Sequence, residues 1–275
     1  MGKYILKRIA LAFVTIWAVA TITFFLMNLV PGGPFLSEKA ISPAATKALE
    51  AKYGLDKPMA ERYFTYISDA AHGDFGDSLK QRGRTVMDII ATKFPVSAKL
   101  GGMAVVLALC VGVPLGVLAA YKRGTFIDSL FSVIATCGIA VPGFVICTLL
   151  LYVFGVKLQW LPTLGLKSAQ SYIMPVIALA AYPTSYIMRL MRSSMLDVLG
   201  QDYMRTAKAK GLSQKVSLFK HALRNAILPV ITYVGPMLAY TLTGSFVTEK
   251  IFTIPGLGGE FIKAINGRDY TMIMG

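Results

Sequence analysis

The chain has 275 residues, 55% of them hydrophobic and 15% charged, and a formal net charge of +14. With charged residues well below the ~25% of ordinary soluble domains and a mean hydropathy of +0.59, a soluble globular protein is excluded. The basic excess raises nucleic-acid binding, but its confinement to short segments between long apolar runs excludes that class and leaves an all-α integral membrane protein.

Five uncharged runs, residues 9–37, 100–121, 129–156, 168–188 and 225–248, each exceed the ~18–20 residues that a helix needs to cross ~30 Å of hydrocarbon. Barrel strands would alternate apolar and polar residues, whereas Ala104 to Val111 is apolar throughout. The first run follows Lys3, Lys7 and Arg8. It is far longer than the ~7–15 residues of a signal-peptide core and has no small-x-small cleavage site before Pro31, so residues 1–30 read as a transmembrane anchor.

Residues 31–96 carry nine basic and eight acidic side chains, too polar for a membrane span and too long for a turn. They read as a helical extracytoplasmic insertion, residues 31–95. Ser42-Pro43 predicts the start of a helix over Ala44 to Tyr53, stopped by Gly54. A second helix is expected from Pro58 to Ala71, ending at His72-Gly73, and a third from Thr85 to Lys93, where Asp88 can close a capping box. The aromatic set Tyr53, Tyr63, Phe64, Tyr66 and Phe75 fits either a small core or a ligand surface.

Residues 96–275 hold the other four runs. Cys110, Cys137 and Cys147 lie within runs without CxxC spacing and are expected to be small buried hydrophobes, not metal or redox groups. Gly112 and Gly116 favour close helix contact. Pro114, Pro142-Gly143, Pro175, Pro183, Pro229 and Pro236 are expected to interrupt helices, either as packing bends or as kinks along a pathway.

Lys122, Arg123 and the loop 189–224, with eight Lys or Arg against Asp197 and Asp202, fall on the same side as the amino terminus if each run crosses once. The positive-inside rule places that side in the cytoplasm. Within the loop, Tyr203 to Lys210 is composed of helix formers, and Gly211 suits the left-handed position after the last turn. Ser213 can cap a following helix whose apolar stripe is Val216, Phe219, Ala222 or Leu223, and Ala226 or Ile227. An eight-residue helix is marginal alone in water, so lipid headgroups or a protein groove should dock on it.

No run has an ionisable residue at its centre, which argues against a self-sufficient ion-coupled carrier. No GxxxxGK[ST] loop, HExxH pair or GxSxG turn is present, which argues against a nucleotide site of its own and against a membrane hydrolase.

The stretches Tyr203 to Leu212 and Lys220 to Pro229 resemble the cytoplasmic EAA-type loop of inner-membrane permease subunits of ATP-binding-cassette importers. Arg205 and Thr206 stand where Glu and Ala are usual, and Pro229 lies 18 residues after Gly211; both departures are shared by the oligopeptide and dipeptide branch. Pro31-Gly32-Gly33-Pro34-Phe35, Gly73-Asp74-Phe75-Gly76, Phe94 to Gly101, Ile254 to Gly258 and Asn266 to Tyr270 extend the resemblance to the B-type subunit.

The resemblance implies a type I importer fold and a multi-pass subunit of a bacterial or archaeal inner membrane, in contact with its lipid. It implies a C-type permease partner, two ATPase subunits holding ATP and Mg, and an extracytoplasmic peptide-binding protein. This chain would bind no cofactor, metal or nucleic acid itself. The ATPase-coupling residues would be Tyr203, Arg205, Thr206, Ala207, Lys208, Lys210, Gly211 and Leu212; the substrate residues are unknown. Oligopeptides are the expected substrate, with dipeptides, nickel chelates, haem or glutathione as alternatives within the family and an ATPase-independent channel or carrier as the alternative outside it. The insertion would serve binding-protein docking or local packing. Six spans are usual in this family, so the chain, ending at Gly275 after five runs, is expected to lack the sixth by truncation.

Overall fold

A computed structural model describes residues 1–29, 34–35, 43–213 and 216–275. Among them every regular element is helical, apart from one antiparallel bridge between Asp77 and Thr85. The chain divides into two compact units, one of Met1–Thr92 with Glu260–Gly275 and one of Lys93–Gly259.

In the first unit, α1 (Gly2–Leu29) opens with Lys3, Lys7 and Arg8, is uncharged from Ile9 onward, and is largely uncovered. α2 (Pro43–Lys52) ends before Gly54, whose φ of +64° is the left-handed turn expected there; its cap, Ser42, lies outside the described residues. α3 (Met59–Ala71) lays Tyr63 and Tyr66 against Phe24 of α1, at ring separations of 5.4 and 5.8 Å. Burial pushes the Tyr66 phenol up, and its hydroxyl donates to the Met274 carbonyl at 2.9 Å. The insertion's aromatics thus divide, since Tyr63 and Tyr66 serve packing while Phe64 is exposed. His72 is a turn residue, its Nδ1 2.7 Å from the Ser68 carbonyl.

The carboxyl-terminal segment belongs to this unit through Asp269, which caps the short α13 (Tyr270–Met274). The buried Asp269 carboxylate accepts from the Ser78 hydroxyl and the Leu79 amide, the latter at 3.0 Å. Phe35, Leu79 and Tyr270 close a small core beside it.

The second unit begins within α4 (Val86–Tyr121), which absorbs both the expected helix after Thr85 and the second run. At its start Thr85 and Asp88 form the reciprocal capping pair, 3.0 and 3.3 Å. α5 (Phe126–Ala140) is followed by α6 (Gly143–Leu150), which continues through widened turns over Leu151–Lys157. α7 (Ile173–Leu199), α8 (Asp202–Ala209), α9 (Ser217–Ala226, widened over Ser217–Ala222), α10 (Leu228–Leu242) and α11 (Phe246–Ile251) follow, and α12 (Leu257–Gly267) starts in this unit and returns the chain to the first at Glu260.

One expectation is met and two are corrected. The interruption expected at Pro142-Gly143 is present, and the run 129–156 bends by 103° between α5 and α6. Pro142 bars the helical conformation to Val141, which is extended at φ −76°, ψ 122°, and Pro142 itself opens the next helix. The other prolines do not interrupt helices. Pro114, Pro183 and Pro236 lie inside continuous α4, α7 and α10, while Pro175 and Pro229 sit in first turns, where a missing N–H costs least. Finally, Cys110 and Cys137 are exposed, on faces of α4 and α5 that the chain leaves uncovered; Cys147 alone is buried. By length and composition, four helices can cross a membrane, or five spans if the bent pair counts as one.

α4 and α7 run against each other through glycines. A Cβ on Gly112 would come within 2.8 Å of the Thr184 carbonyl oxygen, and one on Gly116 within 2.6 Å of that of Met188. Both contacts are with backbone, which cannot rotate away. Gly116→Ala is therefore expected to force the two helices apart, destabilising the unit by about 1–3 kcal/mol, measurable as a lower thermal midpoint in detergent.

Candidate functional site

The 168–188 run does not end at Arg189. α7 continues to Leu199 because Met191 and Met195 supply two more turns of buried surface. After the turn at Gly200, α8 presents Asp202 to its own amino-terminal end, where negative charge is favourable, and the Thr206 hydroxyl donates to the Asp202 carbonyl at 3.1 Å. Gly211 has φ +72°, and the Leu212 amide donates to the Ala207 carbonyl at 3.3 Å, the bond that closes a glycine-terminated helix. The Ser213 hydroxyl accepts from the Val216 amide at 3.4 Å, opening α9.

Of the eight residues that the sequence singles out in this loop, Tyr203, Arg205, Thr206, Lys210, Gly211 and Leu212 are exposed. The Arg205 side chain is 80% accessible, with the still more exposed Asp202 carboxylate 3.6 Å away. The Tyr203 hydroxyl accepts from Asn225 Nδ2 at 3.0 Å, tying α8 to α9. Ala207 is different, because it is buried in the chain's own core and cannot itself touch a docking partner. The Lys208 side chain lies outside the described residues.

Sequence reasoning missed Met204, 1% accessible, although Met204 and Ala207, three apart on one helix face, carried the signal. Met204 joins Met191 and Met195 of α7, Val117 and Ala120 of α4, and Ala222 and Ala226 of α9 in one hydrophobic cluster. The expected apolar stripe of α9 is corrected as well. Ala222 and Ala226 point inward, but Val216 and Phe219 are exposed, because the widened turns over Ser217–Ala222 shift the register of the face. Between 203 and 220 the chain therefore leaves open Leu212, Val216 and Phe219 together with the basic Arg205, Lys210 and Lys220. Apolar side chains among cations fit a protein groove better than headgroups alone.

A second feature reinforces this region. Asp128, buried at the start of α5, accepts from Arg192 Nε at 2.6 Å and Nη2 at 2.8 Å, and from the Gly124 amide at 3.0 Å. This two-pronged pair clamps the 122–128 turn to α7 three residues before Met195.

The chain matches the family described as "Binding-protein-dependent transport system inner membrane component" over residues 112–275, and the amino-terminal model of the same membrane components over residues 1–101. It belongs to this family and is a binding-protein-dependent permease, a membrane subunit of an ATP-binding-cassette importer and not itself an enzyme. ATPase and substrate-binding partners are general to such permeases.

Among its relatives, the dipeptide transport system permease protein DppB of Bacillus subtilis is 46% identical over 275 residues, covering 100% of this chain and 89% of that protein. The oligopeptide transport system permease protein OppB of Salmonella typhimurium is 43% identical over 276 residues, covering 100% and 90%. The MetNI methionine ABC transporter in an inward-facing form shares the fold, with a TM-score of 0.54 at 16% identity over 68% of this chain and 88% of that one. An amino acid ABC transporter solved with histidines gives 0.50 at 17%, over 68% and 84%.

Two outcomes follow from the geometry. Arg192→Ala leaves a buried carboxylate uncompensated and is expected to cost about 3 kcal/mol, the lower end for a broken pair because Arg192 is itself 30% exposed; thermal unfolding of the purified chain reads it. Gly211→Ala places a Cβ in the left-handed region at about 1–2 kcal/mol, and should loosen the end of α8, seen as faster amide exchange over 207–212.

Proposed function

We propose that the chain is the B-type permease subunit of an ATP-driven oligopeptide importer in a bacterial or archaeal inner membrane. A C-type permease shares the pathway, two ATPase subunits holding ATP and Mg engage the cytoplasmic loop, and an extracytoplasmic peptide-binding protein delivers substrate. In this reading residues 1–30 are the first membrane helix, 31–95 the extracytoplasmic insertion and 96–275 the permease core, with the amino terminus and loop 189–224 cytoplasmic. The distribution of Lys and Arg supports that orientation.

The observation that carries the coupling role is the two-sidedness of α8. Met204 and Ala207 fix it to its own chain, while Tyr203, Arg205, Thr206, Lys210, Gly211 and Leu212 remain open to a partner. A helix held on one side and bare on the other passes a push from its partner into α7, α9 and α10. Peptide as cargo is supported by relatives named for oligopeptide and dipeptide transport. The strength of the DppB match favours dipeptides as the second reading.

Reconstitution with the sister permease and both ATPases in proteoliposomes tests this directly. Radiolabelled penta-alanine, supplied with the binding protein, should accumulate only with ATP. Gly211→Pro, which cannot adopt φ +72°, should abolish accumulation without preventing membrane insertion. Accumulation in vesicles lacking the ATPases, or labelling of the Tyr203 region from outside intact cells, would remove the importer reading.

A further inference from the structure

Four tyrosines lie together on the membrane-crossing part of the second unit. Tyr182 and Tyr186 are one turn apart on α7, with ring centroids 6.3 Å apart, and Tyr233 of α10 lies 4.5 Å from Tyr186. Tyr240, seven residues after Tyr233 and so on the same face of α10, borders one concavity with Tyr182. Tyr182 lies seven residues, ~10 Å, inside Arg189, and Tyr233 and Tyr240 lie nine and sixteen residues beyond Arg224, so the strip runs inward through the span instead of forming a belt at one level. From Tyr233 to Tyr240 the strip rises ~10 Å along the helix.

None of the four hydroxyls has a hydrogen-bond partner among the described residues, and Tyr182 and Tyr240 are 48% and 72% exposed. In hydrocarbon an unpaired hydroxyl is costly, so the exposed phenols of Tyr182 and Tyr240, both inside the span, are poorly suited to face lipid. Close packing against another membrane helix is also a poor fit, since such contacts favour small residues that let backbones approach. Two of the rings, Tyr182 and Tyr240, line a concavity of about 360 Å³ together with Pro142, Gly143 and Ser245, within the ~300–1,000 Å³ range of ligand sites, while Tyr186 and Tyr233 continue the strip beyond its edge.

The chemistry of this surface narrows what it can hold. No charged side chain lines the concavity, and none of its lining residues is a Cys or His. A metal chelate or a carboxylate-bearing macrocycle would find neither ligand nor counter-charge. A phenol hydroxyl both donates and accepts, and so pairs with a peptide carbonyl or a peptide N–H, while the ring accommodates varied apolar side chains. The break at Pro142, which turns α6 away from α5, contributes to the hollow beside the strip.

We infer that Tyr182, Tyr186, Tyr233 and Tyr240 form the surface along which the backbone of a transported peptide passes through this chain's half of the pathway. The inference rests on the peptide-import reading above and adds to it the residues and the mode of contact.

The test uses the assembled importer with penta-alanine carrying a radiolabel. Tyr240→p-benzoyl-phenylalanine, irradiated during ATP-driven turnover, should attach label to this chain, and Trp17→p-benzoyl-phenylalanine on α1 should not. Attachment of Tyr240 only to the sister permease or to lipid would overturn the inference while leaving the importer intact. Failure of the unsubstituted importer to accumulate penta-alanine would overturn the peptide reading and this inference together. Tyr182→Phe and Tyr240→Phe keep the rings and remove only the hydroxyls. Each is expected to raise the KM of uptake about fivefold with ATPase assembly unchanged; unaltered KM in the double variant would overturn the inference as well.

Discussion

Met204 and Ala207 join the exposed loop to the membrane helices, and the mechanical properties of the chain depend on that join. α8 is too short to persist alone in water, where nucleation costs outweigh a few hydrogen bonds. Burying one methionine contributes roughly 1.5–3 kcal/mol, enough to hold such a helix once its neighbours are in place. The cluster it enters includes residues of α4, α7, α9 and α10. Close-packed side chains transmit displacement with little compression, so α8 cannot shift without moving that cluster.

Two further contacts keep the cluster stiff. Gly112 and Gly116 bring α4 against the backbone of α7, which makes the spacing of those helices a matter of hard contact. Arg192 clamps Asp128 with two parallel hydrogen bonds, a geometry that the guanidinium provides and an ammonium does not. The turn 122–128 is thereby tied to the same stretch of α7 that carries Met191 and Met195. The outer side of α8 is bare while the side behind it is fixed.

Away from this cluster the chain loosens into hollows. Pro142 divides one apolar run into two short helices, and a cavity of about 600 Å³ opens between α4, α5, α6 and α7, lined almost wholly by apolar side chains. Near it α7 and α10 bring the phenols of Tyr182, Tyr186, Tyr233 and Tyr240 to one side. A tightly packed cluster thus lies next to an open face of uncharged phenol groups.

The amino-acid sequence alone determined what composition and short-range geometry control. Long uncharged runs demand helices in hydrocarbon, Gly54 and Gly211 demand left-handed turns, Thr85 and Asp88 close a local cap, and the residues from Tyr203 to Leu212 carry a family signature. Contacts between distant segments were not legible in this way. The inward turn of Ala207, the Asp128–Arg192 clamp, the register shift at Ser217–Ala222 and the meeting of Tyr186 with Tyr233 each bring together groups far apart in the chain or depend on which helix face a neighbour covers. Apolar runs look alike on every side when all of their residues are apolar, so only the packing of one helix on another decided which side is core, which is hollow and which is left exposed.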